Sequence, residues 1–193
     1  MTSIRTVQYR RKREGKTDYN ARLRLLRGNL PRFIIRRTLH NIIAQVATYE
    51  PSGDKIHSTV TSGELAKYGW KGPGSNTPAA YLVGLLAGKK AVAKGVNVAI
   101  SDIGMQSSVK SSVLYAVIKG ANDAGLSVSV SDAVVPSAGR LRGEHVAAWA
   151  VVLKQKDSEM YKRVFSEYLK NSLAPEELPV HTDVVKKKIG GKA

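Results

Sequence analysis

The chain has 193 residues, 31 lysines and arginines against 15 aspartates and glutamates, and no cysteine, so its formal charge is +16. The missing thiols exclude a disulfide framework and any cysteine-based zinc or iron–sulfur centre, and no apolar run approaches the ~18 residues that span a bilayer. The basic amino terminus lacks the apolar stretch of a secretory signal, and 42% hydrophobic residues suffice for one domain with appendages. The expectation is a soluble, intracellular protein with a polyanionic partner.

The charge is concentrated at the amino terminus. Residues 1–40 hold 12 bases and two acids, whereas residues 41–180 hold 15 bases and 12 acids. The run Tyr9-Arg10-Arg11-Lys12-Arg13-Glu14-Gly15-Lys16-Thr17-Asp18-Tyr19 is expected to form a basic extended arm. Arginine makes planar bidentate contacts to phosphate, and tyrosine stacks on unpaired bases, so nucleic acid is favoured over an anionic membrane or an inert tail. Asp18 or Thr17 can cap a helix running to about Leu26, with Leu23 and Leu26 on a modest apolar side and Gly28-Asn29 as its stop. Arg22, Arg24 and Arg27 spread around its exposed part. Residues 1–28 are thus read as an RNA-binding arm, 29–150 as the core and 151–193 as a helical extension with a basic tail.

The core is expected to begin with three antiparallel strands, 31–38, 42–49 and 55–60, joined by turns at Leu39-His40-Asn41 and Pro51-Ser52-Gly53-Asp54. A helical turn over 62–70 leads into the glycine-rich loop Lys71-Gly72-Pro73-Gly74-Ser75-Asn76, read as a flexible connector able to touch an RNA backbone. Thr77 reads as the N-cap of an almost wholly apolar helix, about 78–94, whose Gly84 and Gly88 permit close approach of a neighbour. A central strand follows at 96–103, then a helix starting after Ser107-Ser108 with Val109, Val113, Val117 and Ala121 in register, and a weak strand at 126–130. Beyond Arg140-Leu141-Arg142-Gly143-Glu144-His145 two helical stretches reach about Leu173, and the Lys186-Lys187-Lys188 tail reads as disordered alone. The order βββαβαβ followed by helices predicts an α/β core with a mixed sheet.

Candidate chemistries are sparse. His40, His57, His145 and His181 have no metal-ligand spacing, and the glycine-rich loop lacks the Gly-Lys-Ser/Thr of a phosphate-binding loop. The element order resembles ribonuclease H-like folds, whose two-metal sites need several carboxylates. The first strand offers Arg32, Arg36 and Arg37 instead, and Asp123 and Asp132 have no evident reason to join Asp102. A metal-dependent nuclease and a non-specific basic RNA chaperone stand as the alternatives to a specific RNA-binding protein.

Six motifs in order carry a resemblance. They are residues 16–26 followed by Pro31-Arg32 and Arg36-Arg37, then Lys67-Tyr68-Gly69-Trp70, residues 80–88, Asp102-Ile103-Gly104, residues 120–126 and Arg140 to His145. Together they resemble archaeal-type large-subunit ribosomal protein eighteen over nearly the whole chain. The resemblance implies a ribonuclease H-like core without catalytic acids. It also implies a structural, non-enzymatic constituent of the large ribosomal subunit, which binds 5S rRNA and anchors it in the central protuberance. The implied partners are 5S rRNA, large-subunit rRNA and neighbouring ribosomal proteins in the cytoplasm, with no cofactor, small-molecule substrate or membrane. The implied RNA contacts are Arg5, Tyr9, Arg10, Arg11, Lys12, Arg13, Lys16, Thr17, Tyr19, Arg22, Arg24, Arg27, Arg32, Arg36 and Arg37, with His40, Tyr68, Trp70, Asn76, Arg140, Arg142 and His145 as weaker candidates.

Overall fold

The computed structural model describes residues 6–191. Two short helices come first, α1 (Arg10–Arg13) and α2 (Tyr19–Leu26). A five-stranded sheet follows, built from β1 (Arg32–Arg37), β2 (Ile42–Thr48), β3 (Lys55–Thr61), β4 (Val98–Asp102) and β5 (Ser127–Val128). The spatial order is β3-β2-β1-β4-β5. The β1–β2 and β2–β3 pairs are antiparallel, with a register shift at Val46/Ala47, while β4 runs parallel to both β1 and β5. The predicted mixed α/β core is therefore observed.

Strand alternation separates the two faces of this sheet. Phe33 and Ile35 of β1 pair with Val46 and Ala44 of β2, and all four are fully buried, as is Val60 of β3. Arg32, Ile34 and Arg36 point the other way. The buried face is covered by α3 (Thr77–Val92) and α4 (Val113–Asp123), joined by α5 (Ala138–Arg142) and the carboxy-terminal helices. Thirteen of the sixteen residues of α3 are buried, as its all-round apolar sequence requires.

Glycine lets α3 and α4 meet backbone to backbone. A Cβ added at Gly84 would stand 2.0 Å from the Val117 carbonyl oxygen, and one at Gly120 would stand 2.1 Å from that of Tyr81. No side chain fits at either place. The expected close approach at Gly84 and Gly88 is thus made by α4.

Four local expectations are corrected. Asn76 rather than Thr77 caps α3, its Oδ1 accepting from the Ala79 amide at 2.8 Å. Helix α4 starts at Val113, because Ser111 sits at φ +57° and bonds the Val134 carbonyl, which leaves Val109 exposed in a loop. Strand β5 is only two residues long, and the Asn122 side chain engages both main-chain groups of Val128. The carboxy-terminal region forms α6 (Glu144–Lys156), α7 (Ser158–Val164), α8 (Ser166–Lys170) and α9 (Leu178–Gly191). Asp157, at φ −153°, breaks the first two apart and caps α7, and α6 runs through the expected boundary at residue 150.

The lysine-rich tail is also ordered up to Gly191. Val185 and Ile189 of α9 are buried, Lys186 lies 5.0 Å from the Tyr81 ring centroid, and Lys89 donates to the Ile189 and Gly190 carbonyls.

Candidate nucleic-acid interface

The arm is folded back rather than extended. Gly15, at φ +63°, turns the chain between α1 and α2, and the rings of Tyr9 and Tyr19 meet at 5.1 Å and 45°. Arg11 Nε donates to Thr17 Oγ1 at 2.9 Å, and Lys16 Nζ pairs with Glu14 at 2.8 Å. Asp18 caps α2 by accepting from the Asn20 and Ala21 amides, a role that leaves its charge at the helix start, where the backbone dipole favours it. Arg10, Arg11, Lys12 and Arg13 are all exposed, as are Arg24 and Arg27. Leu23 is exposed too; the half-buried residues of α2 are Tyr19, Ala21, Arg22, Leu25 and Leu26. Arg5 lies outside the described residues.

Between α2 and the ends of β1 and β4 lies an open cleft of about 890 Å³. Arg11, Lys16, Arg22, Arg24 and Arg36 line it, with Asp18, Asp54 and Asp102. Every one of these carboxylates is engaged. Asp54 takes Arg22 Nη2 on both oxygens at 3.0 Å and has Arg32 Nη2 at 2.6 Å, close but not aligned as a hydrogen bond. Asp102 accepts from Arg32 Nη1 at 3.0 Å, Arg36 Nη2 at 2.9 Å and the Gly104 amide at 3.0 Å. Burial alone would push the Asp54 carboxyl upward, but the close Arg32 and Arg22 guanidinium groups outweigh it and hold the group below the ordinary aspartate value.

The remaining candidates divide. Arg37 and His40 are exposed at the β1–β2 turn, and Arg140 and His145 are exposed near the α5–α6 junction. Partial desolvation and then the charge of Arg140 depress the His145 pKa below the usual imidazole value. Arg142 is half-exposed but paired with Glu144 at 3.2 Å and Asp183 at 2.6 Å.

Three of the candidate RNA contacts are engaged within the protein. Arg32 is 1% exposed and spends its guanidinium on two carboxylates. Trp70 is 7% exposed, donates from Nε1 to the Pro73 carbonyl and stacks on His181 at 5.3 Å. Asn76 uses its oxygen to cap α3 and its Nδ2 to bond Tyr168 Oη. Tyr68 is half-buried against the core. The glycine-rich loop is no loose connector: Gly72 lies under the Trp70 ring, and Asn171 and His181 bond the main chain of Lys71.

Asp54 and the buried role of Asp102 were missed from sequence. Alternation does put Arg32 and Arg36 on one face of β1, but the register bringing Asp102 opposite Ile34 needs the β1–β4 pairing. Among the described residues no group of three or more His, Cys, Asp or Glu could hold a metal ion, and no helix is long and apolar enough to cross a membrane.

A mixed sheet layered on one face with helices, and beside it a cation-dense arm over a cleft of neutralised carboxylates, define a basic α/β protein built to engage a polyanion. The family described as ribosomal large subunit proteins 60S L5 and 50S L18 matches residues 5–98. The large ribosomal subunit protein uL18 of Thermofilum pendens is 48% identical over 183 residues, 95% of this chain and 93% of that protein. The chain belongs to this family of large-subunit ribosomal proteins.

Proposed function

We propose that the protein is a structural, non-enzymatic constituent of the large ribosomal subunit that binds 5S rRNA and anchors it in the central protuberance. Large-subunit rRNA and adjacent ribosomal proteins are its further partners, and the cytoplasmic ribosome is its location. The observation that carries this reading is the arginine-rich arm, folded beside a cleft in which every carboxylate is already satisfied while Arg10, Arg11, Lys12, Arg13 and Arg24 face solvent. Phosphates supply the missing counter-charge, and the fixed shape of the arm against the sheet favours one folded RNA over others.

The core is read more finely as ribonuclease H-like. Supporting this are three antiparallel strands followed by two parallel ones in the order β3-β2-β1-β4-β5. The position of a strand-end catalytic carboxylate is taken by Asp102, which is held by two arginines and so is ill suited to a metal cation.

The test is removal of residues 1–16. Full-length protein contacting about 6–10 phosphates should lose roughly 10³–10⁵ in 5S rRNA affinity between 50 and 200 mM salt. The truncated protein should bind far more weakly, with a shallower salt slope and an unchanged unfolding midpoint. Unchanged affinity and slope would remove the arm from the interface, and equal affinity for transfer RNA would favour a general chaperone.

A further inference from the structure

Five charged side chains alternate in sign across the sheet face that bears the cleft. Arg22 of α2 meets Asp54 of the β2–β3 turn at 3.0 Å, and Asp54 meets Arg32 of β1 at 2.6 Å. Arg32 meets Asp102 at the end of β4 at 3.0 Å, and Asp102 meets Arg36 at 2.9 Å. The two ends of this series are one-third to two-fifths exposed, whereas the Arg32 and Asp102 side chains are 1% and 8% exposed. The terminal cations therefore face solvent while Arg32 and Asp102 do not, and Asp54 is part-exposed at 24%.

Resting on the RNA-binding reading above, we propose that Asp54, Arg32 and Asp102 are positioning residues for that binding, holding Arg22 and Arg36 as opposite walls of one phosphate-accepting cleft. No residue of α2 is fully buried, so packing alone fixes its orientation weakly. Asp54 grips a single Arg22 nitrogen, Nη2, with both of its oxygens, and it does so from far along the chain. At the other wall Arg36 Nη1 donates to the Ile35 and Asp102 carbonyls while Nη2 takes the Asp102 carboxylate. Gly104, at φ +64°, closes against this guanidinium so tightly that a Cβ would stand 2.8 Å from Arg36 Cζ. Both cations are thus held with few rotamers left to lose when a phosphate arrives, which lowers the entropic cost of binding.

This reading has an unusual sign. An acid beside an RNA surface repels phosphate, so Asp54→Asn tightens binding if Asp54 does nothing else. The positioning role requires the opposite. The experiment measures 5S rRNA transcript affinity for full-length wild type, Asp54→Asn, Asp54→Glu, Arg22→Gln and the Asp54→Asn/Arg22→Gln double variant, with thermal unfolding of each alongside. The expected result is a roughly ten-fold loss in Asp54→Asn, partial restoration in Asp54→Glu, and no further loss when Asp54→Asn is added to Arg22→Gln. Affinity equal to or above wild type in Asp54→Asn, or an additive loss in the double variant, overturns the proposal. Should Asp54→Asn be too unstable to assay, Arg22→Gln decides, because wild-type affinity there leaves Asp54 no phosphate-binding cation to position and overturns the proposal. Failure of the wild type itself to bind the transcript removes the functional reading and this proposal together.

Discussion

Helices α2 and α3 sit on opposite sides of the same sheet and are stabilised in opposite ways. Helix α3 is enclosed, with thirteen buried residues and a glycine surface against α4. Helix α2 has no fully buried residue; it depends on one capping aspartate, one half-buried side and one ion pair in which a single guanidinium nitrogen meets both carboxylate oxygens. Hydrophobic burial is strong but indifferent to what lies outside, whereas a cap and an ion pair hold a short helix in place and leave its arginines available. Stability and recognition are thereby assigned to different faces of the sheet, and the two should respond to different substitutions.

The sharpest challenge to that separation is Asp102→Ala, because Asp102 is at once part of the sheet and a support of the cleft. Its loss strands Arg32 at 1% exposure with only Asp54 beside it, and the expected cost in urea unfolding is about 3–5 kcal/mol. Gly84→Ala, confined to the α3–α4 contact, should cost about 3 kcal/mol by forcing a Cβ into the Val117 carbonyl. Protein that still folds should bind RNA as wild type does. On the other face, replacing Arg10, Arg11, Lys12 and Arg13 together by Gln should flatten the salt slope by about 0.7–0.9 for each phosphate left without its cation, with the unfolding midpoint unmoved. Asp18→Ala should cost α2 about 1 kcal/mol of local stability, seen as faster amide exchange over 20–26 without a change in global unfolding.

The smallest effect is a pH dependence of the helix layer. Burial first, then Lys71 and Lys188, depress the His181 pKa below its ordinary 6.5. The unfolded chain therefore binds a proton more readily than the fold. Stability from this group is fully present above pH 6.5 and is lost as pH falls toward the folded value. His181→Gln should remove that slope in unfolding measurements between pH 7 and 5 while leaving RNA affinity at pH 7 unchanged.

Much of the fold was legible because hydrophobic period and turn residues are local signals. The β-branched runs of β1 to β3 and the apolar length of α3 announced themselves, and Asp18 was recognisable as a cap from its place before Tyr19. What escaped depends on distance along the chain. Arginine in β1 reads as a solvated cation until the strand order sets Asp102 beside it, and only the bent β2–β3 turn reveals Asp54 as the partner of α2. The internal roles of Trp70 and Asn76 were hidden for the same reason: their partners, His181 and Tyr168, are about a hundred residues away. The exposed arginines of the arm were the easiest feature to find, since a run of cations that outnumbers its neighbouring acids shows in the sequence itself.

The alternating charges also set synthesis and assembly in opposition. The arm leaves the ribosome before the core, yet Arg22 has no carboxylate to grip until residue 54 follows, and Arg36 waits for residue 102, which also completes the setting of Arg32. A chain stopped before β4 would hold its basic segment with the sheet end of the cleft unbuilt. The cleft between α2 and the sheet is accordingly completed late, and the second half of the chain decides when its arginines are ready.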